Sequence, residues 1–128
     1  MKAHGPLLAI ALAVGCTTAG AAAGDAKQGE EVYNRCIACH ALKTDRVGPR
    51  HCGLIGRHAG SVPGFAYSEA MKKSRLTWDE KTLDRFLQNP MKAVPGTSMT
   101  YDGVPEAKDR SDLIAYLKNA NSGPECRK

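Results

Sequence analysis

Aromatic side chains are scarce in this chain: two phenylalanines, one tryptophan and four tyrosines in 128 residues. So few large groups give a chain of this size a thin core of its own, and a buried cofactor would supply the missing apolar volume. No apolar run approaches the roughly 20 residues that a membrane-crossing helix needs. There is no internal repeat, which excludes a repeat architecture, and no low-complexity tract beyond the first two dozen residues. Nowhere do apolar and polar residues alternate over the length of a strand, which argues against a sheet and for an all-α fold. Basic residues are not clustered along one face, as nucleic-acid binding would want.

The first residues read as a processing signal. Lys2 precedes the apolar stretch 6–14 (PLLAIALAV), and small residues follow up to Ala21-Ala22-Ala23, the layout of a secretory signal. Residues 1–23 are therefore expected to be removed, leaving a domain over 24–128 whose last residues, 122–128, form a short tail. Cys16, after Leu12-Ala13-Val14-Gly15, offers a looser alternative as a lipidation site, though Ala13 is smaller than the residue usual there. The net charge is +5. Without Lys2 the remainder has 17 basic and 13 acidic residues, a mild +4 that suits weak steering toward an acidic partner.

Four helices are expected. The first runs from Asp25, a suitable cap, to Arg35. A short one covers Ser68 to Ser74. A third runs from Trp78 to about Gln88 with Thr77 as cap and Glu80 completing a capping box; Leu83, Phe86 and Leu87 form its apolar side, and Asn89-Pro90 ends it. The last spans about Asp109 to Asn121, with Leu113, Ile114 and Leu117 as one stripe and Tyr116 beside them. Residues 41–67, rich in Gly and Pro, and the stretch Pro95-Gly96-Thr97-Ser98-Met99 read as loops. Loops this long usually carry function or pack on a ligand.

The chemistry is concentrated in Cys36-Ile37-Ala38-Cys39-His40. C-x-x-C-H is the attachment signature of c-type haem: two thiols three residues apart can each add across one vinyl group of a porphyrin, and the imidazole that follows lies under the ring and reaches the iron. A redox dithiol would need a thioredoxin-like βαβ setting, absent here. A zinc site would need a second C-x-x-C or paired histidines, which do not follow. For the sixth position of the iron, Met71 and Met91 lie on or beside helices and are expected to pack. Met99 lies in a loop where backbone can approach a flat ring. A thioether ligand favours Fe(II) and raises the reduction potential.

With these residues in hand the chain resembles the class I cytochromes c of mitochondrial and photosynthetic-bacterial type, over nearly all of residues 24–121. The markers run in order: Gly29 and Tyr33, Cys36-Cys39-His40, Gly48-Pro49, Gly53-Leu54-Ile55-Gly56-Arg57, Pro63-Gly64-Phe65-Ala66-Tyr67, Leu76-Thr77-Trp78, Asn89-Pro90, Pro95-Gly96-Thr97 with Met99, and Asp112-Leu113-Ile114-Ala115-Tyr116-Leu117. The resemblance implies a fold of four to five short helices with long loops wrapped around one covalent haem c.

It implies roles as well. Gly29 would let the first helix cross the last closely, against Leu113 and Tyr116. The Pro49 carbonyl would hold the second nitrogen of His40. Arg57, Tyr67, Trp78 and Thr97 would serve the two haem propionates. In the resembled fold the loop at Cys52 lies near the end of the last helix, which implies a Cys52–Cys126 disulfide, the alternative being two free thiols.

Three departures stand out. Phe86 occupies the place of a tyrosine that serves the methionine sulfur. Met71 replaces an asparagine. Met91, Ser98 and Glu106 fall where lysines are common, leaving Arg35, Lys43, Lys92 and Lys108 around the haem edge near Tyr101. His51 and His58 are expected to face solvent.

The implied function is a monomeric one-electron carrier, not an enzyme, in the bacterial periplasm. Its donor would be a cytochrome bc-type complex or a dehydrogenase, its acceptor a terminal oxidase or a photosynthetic reaction centre. The alternative is a peroxidase-like haem enzyme or ligand sensor with an open sixth site, which requires that Met99 not bind the iron.

Overall fold

The computed structural model describes residues 22–128 together with Met1, Lys2, Gly5 and Gly15. Cys16 and nearly all of the segment read as a signal lie outside them.

Five helices follow one another: α1 (Ala26–Tyr33), α2 (Glu69–Lys73), α3 (Glu80–Gln88), α4 (Pro90–Ala93) and α5 (Ala107–Ser122). The Asp25 carboxylate caps α1, accepting from the amides of Lys27 and Gln28. The helix stops short of Arg35. There the amides of Arg35 and Cys36 bond only three residues back, to Val32 (3.0 Å) and Tyr33 (2.8 Å), and the chain tightens into the turn that carries the cysteines.

α3 begins two residues later than its apolar pattern suggested. Thr77 is not its cap, because the Thr77 hydroxyl is hydrogen-bonded to His58 Nδ1 at 2.9 Å. Asp79 caps instead, and Thr82, not Glu80, closes the capping box. Asn89-Pro90 does end α3, but it also starts α4. The Asn89 side chain accepts from the Lys92 amide, and Pro90 at the first turn loses no helical hydrogen bond. α5 starts at Ala107 rather than Asp109, with no side-chain cap on its first turn.

The dominant packing is α1 across α5, with α3 against α5 and α4 against α3. Gly29 makes the crossing possible: a Cβ there would run into the carbonyl of Asp112 and lie 2.8 Å from Tyr116 Cβ. The nearest atoms at the crossing are those of the Asp112 backbone and Tyr116. Buried Asp112 ties the start of α1 to α5, accepting from the Asp25 amide (2.8 Å) and the Lys108 ammonium (2.5 Å). These bonds, Lys108 first, hold its carboxyl below the usual carboxylate range. Arg110, also buried, joins α5 to α3 through Asp84 (2.8 Å) and donates to the carbonyls of Val104 (3.0 Å) and Pro105 (2.7 Å).

Between these helices lie Val32, Tyr33, Leu83, Phe86, Leu87, Leu113, Ile114 and Leu117, all buried. Each such aliphatic or aromatic side chain contributes roughly 1.5–3 kcal/mol over an exposed one. The other side of the molecule is loop. Among the described residues its one strand-like pairing is an antiparallel bridge between His58 and Thr77.

Candidate functional site

The helices and loops enclose a cavity of about 360 Å³. Cys36, Cys39, His40, Pro49, Arg57, Tyr67, Trp78, Thr97 and Met99 all line it. Cys52 and Cys126 do not. They are bridged through their sulfurs on the outside, with Cα atoms 5.1 Å apart, and join the loop before Leu54 to the tail behind α5.

The cysteine motif is a single turn. The amides of Cys39 and His40 both bond to the Cys36 carbonyl, at 3.1 and 2.9 Å, which brings both thiols and the imidazole to one wall. The thiols are free; Cys39 is exposed and Cys36 half-buried. Burial pushes the Cys36 thiol up, against the nearby Arg35 charge.

His40 is buried. Its Nδ1 lies 2.8 Å from the Pro49 carbonyl. A carbonyl only accepts, so the proton is on Nδ1 and Nε2 keeps its lone pair for a metal. Burial lowers the pKa of the ring against the bond to Pro49, which favours this neutral ligand form. Gly48 is fitted to the ring as well, since a Cβ there would land on the imidazole.

The wall made by Met71, Leu83, Phe86 and Leu87 is apolar and buried. Phe86 stacks at a tilt on Trp78, with centroids 5.0 Å apart, and brings no hydroxyl to the cavity. Met71 packs as expected. Met91 does not: on the outer side of α4 it is 40% exposed.

Among the described residues the polar lining carries cations and hydroxyls but no carboxylate. The amide of Gly56 bonds to the Trp78 carbonyl (2.8 Å) and that of Trp78 to the Arg57 carbonyl (2.9 Å), so Arg57 and Trp78 are held side by side. The Arg57 guanidinium donates to the carbonyls of Cys52 (3.3 Å) and Arg50 (3.0 Å). Its Nε is buried and has no partner among the described residues, and burial pulls its pKa down. Tyr67 accepts from the Val62 amide (3.2 Å) and Thr97 from the Met99 amide (3.2 Å), which leaves both hydroxyl protons to give. A half-buried cation with a buried, orphaned N–H, on the same cavity as two hydroxyls with protons to donate, is a setting for an anionic group such as a carboxylate.

The positions of the histidines depart from the sequence reading. His58 is exposed, but His51 is half-buried and lines the cavity. Its ring stacks on His40, with centroids 4.3 Å apart and 20° between planes. Its Nδ1 is hydrogen-bonded to the Tyr33 hydroxyl at 3.0 Å. Burial, then the charges of His40 and Arg57, push its pKa down to about 3. The cause is backbone pairing: the amides of His51 and Cys52 bond to the carbonyls of Ala41 and Leu42 (3.1 and 2.7 Å), which lays residue 51 beside Ala41, the residue after His40. No local pattern in a Gly-rich loop reports such a pairing. The one available signal is that His51 lies two residues beyond Pro49, the partner of His40.

Comparison with known proteins agrees with this cavity. The family model described as Cytochrome c matches residues 26–121. The chain belongs to the cytochrome c family. It is 50% identical over 99 residues to the cytochrome c2 of Rhodomicrobium vannielii, covering 75% of this chain and 79% of that one. It is 43% identical over 109 residues to the cytochrome c2 of Blastochloris viridis, covering 83% and 86%. Among solved structures it superposes on cytochrome cH from Methylobacterium extorquens with a TM-score of 0.73 at 45% identity, over 75% of this chain and 99% of that one. The class I cytochrome c fold and the function of an electron carrier rather than an enzyme follow for this chain.

The family's cofactor is one covalently attached haem c with its iron. The residues present fit it. Two thiols and a neutral imidazole share one wall, a thioether lies on the same cavity, the interior is apolar, and the orphaned Arg57 Nε meets the need of a propionate.

Proposed function

We propose that this cytochrome c is a soluble periplasmic one-electron carrier whose iron is held by His40 and Met99. The haem, when bound, supplies the Fe(III)/Fe(II) couple. The observation that carries the reading is the pairing, in one cavity, of an imidazole whose Nε2 is freed by Pro49 with the Met99 thioether.

Cys36 and Cys39 would hold the ring by thioether bonds. Arg57, Tyr67, Trp78 and Thr97 would take its propionates, Arg57 by charge and the others by donated hydrogen bonds. Met71, Phe86 and Leu87 exclude water, which keeps the dielectric around the iron low and the reorganisation on electron transfer small. The Cys52–Cys126 bridge would tie the tail to the loop that ends in Arg57. Residues 1–23 would be the export signal, with removal leaving Gly24 first; lipidation at Cys16 is the alternative.

Electrons would pass at the exposed edge by Cys39 and Tyr101, through brief contacts of the small, weak kind such carriers use. A cytochrome bc-type complex or a dehydrogenase would be the donor, and a terminal oxidase or a reaction centre the acceptor. Of four cations around this edge, Arg35 is paired with Asp109 (2.9 Å) and Lys108 with Asp112. Only Lys43 and Lys92 have no ion-pair partner among the described residues. Encounters would therefore depend on salt less steeply than in lysine-rich relatives.

The test is ligand access. Carbon monoxide added to the reduced, exported holoprotein should leave its visible spectrum unchanged, and peroxide should not be turned over. Ready carbon monoxide binding would mean an open sixth site and would overturn the Met99 assignment in favour of a haem enzyme or sensor.

A further inference from the structure

We infer that His51 and Tyr33 form a positioning pair that fixes the plane of the His40 imidazole. The inference rests on the reading of His40 as an iron ligand and goes beyond it. His51 is held from three directions. Its amide bonds to the Ala41 carbonyl (3.1 Å), its carbonyl accepts from Asn121 Nδ2 (3.0 Å), and its ring nitrogen is bonded to the Tyr33 hydroxyl (3.0 Å). The Tyr33 ring meets it edge-on, with centroids 5.6 Å apart. Each of these two polar groups satisfies the other in a largely apolar setting, which a phenylalanine at one place or a leucine at the other could not do.

The ring so fixed lies nearly parallel to His40 at stacking distance. The Nδ1 bond to Pro49 fixes one atom of His40 but leaves rotation about the line through it. A second ring laid flat on the first opposes that rotation, as does the Gly48 backbone. The orientation of an axial imidazole sets how unpaired spin is distributed over a ferric haem, so the pair acts on the electronic structure through His40 without touching the iron itself.

The experiment is proton NMR of the ferric holoprotein with labelled histidine, comparing Tyr33→Phe, His51→Leu and His51→Phe with the parent. The parent should give strongly hyperfine-shifted His40 ring protons; their absence would remove the ligand reading itself. With that signature present, Tyr33→Phe and His51→Leu should move the haem-methyl resonances, changing their spread by more than a linewidth. His51→Phe, which keeps a flat ring, should move them less than His51→Leu. Tyr33→Phe retains its packing and so reads the pair even if His51→Leu does not fold. Haem-methyl and His40 resonances unchanged in Tyr33→Phe and in whichever His51 variant folds would overturn the inference.

Discussion

The crossing of α1 with α5 and the loop wall around the cavity are held together by different means. At the crossing, Gly29 meets the Asp112 backbone, and Asp112 and Arg110 anchor α1 and α3 to α5. Apolar side chains fill what remains. Among the described residues no buried side-chain nitrogen or oxygen there lacks a partner. The loop wall has no helix between Tyr33 and Glu69. It carries the orphaned Arg57 Nε, hydroxyl protons without acceptors and two free thiols. The first region is complete as a polypeptide; the second is completed by its cofactor and, at one edge, by a disulfide. A small chain with few aromatics reaches a stable fold by letting the haem serve as the missing part of its core.

The strongest way to break this contrast is to take the haem away. Cys36→Ala with Cys39→Ala should abolish covalent attachment and with it the cooperative unfolding transition. Amide exchange in the apo chain should lose protection throughout 41–67 and retain a remnant in α1 and α5. Equal loss of protection in both regions would mean that the crossing does not stand apart.

Cutting the disulfide comes next. Cys52 and Cys126 are 74 residues apart in sequence, and a loop that long corresponds to about 4 kcal/mol in the chain-entropy account. Cys52→Ser with Cys126→Ser should lower stability to urea by up to that amount while leaving the visible spectrum intact. A smaller effect follows from Gly29→Ala, which forces a methyl group toward the Asp112 carbonyl; overpacking of this kind costs about 1–3 kcal/mol. Its mark is faster exchange in α1 and α5 rather than in the loops.

The smallest concerns acid. The Asp112 carboxyl titrates lower in the folded chain than in the unfolded one, because Lys108 and the Asp25 amide favour its charged form. It contributes stability above the ordinary carboxylate range, near 4, and that contribution fades as pH falls through the folded value. Asp112→Asn should be less stable than the parent at neutral pH, and the gap should narrow in acid titrations followed by circular dichroism.

The same contrast governs what could be read from sequence. Leu83, Phe86 and Leu87, and Leu113, Ile114 and Leu117, repeat at helical spacing, so α3 and α5 were legible. Cys36 to His40 form one local turn whose chemistry is written in five consecutive residues. Helix ends were less legible: Thr77 is drawn off by His58, and Asn89-Pro90 stops one helix while starting another. The propionate roles proposed for Arg57, Tyr67, Trp78 and Thr97 rest on family resemblance, because no local pattern marks them; Arg57 and Trp78, for instance, meet only through backbone pairing between distant loops. His51 went unread for the same reason. Its neighbour in space, His40, is set by the bond to Ala41 and not by any local pattern.

The central claim, that the cavity holds a haem between His40 and Met99, is tested most directly in the near infrared. The ferric holoprotein should show the weak sulfur-to-iron charge-transfer band, and Met99→Ala should lose it while gaining affinity for cyanide and carbon monoxide. A parent protein without the band, or a Met99→Ala variant that keeps it, would contradict the account.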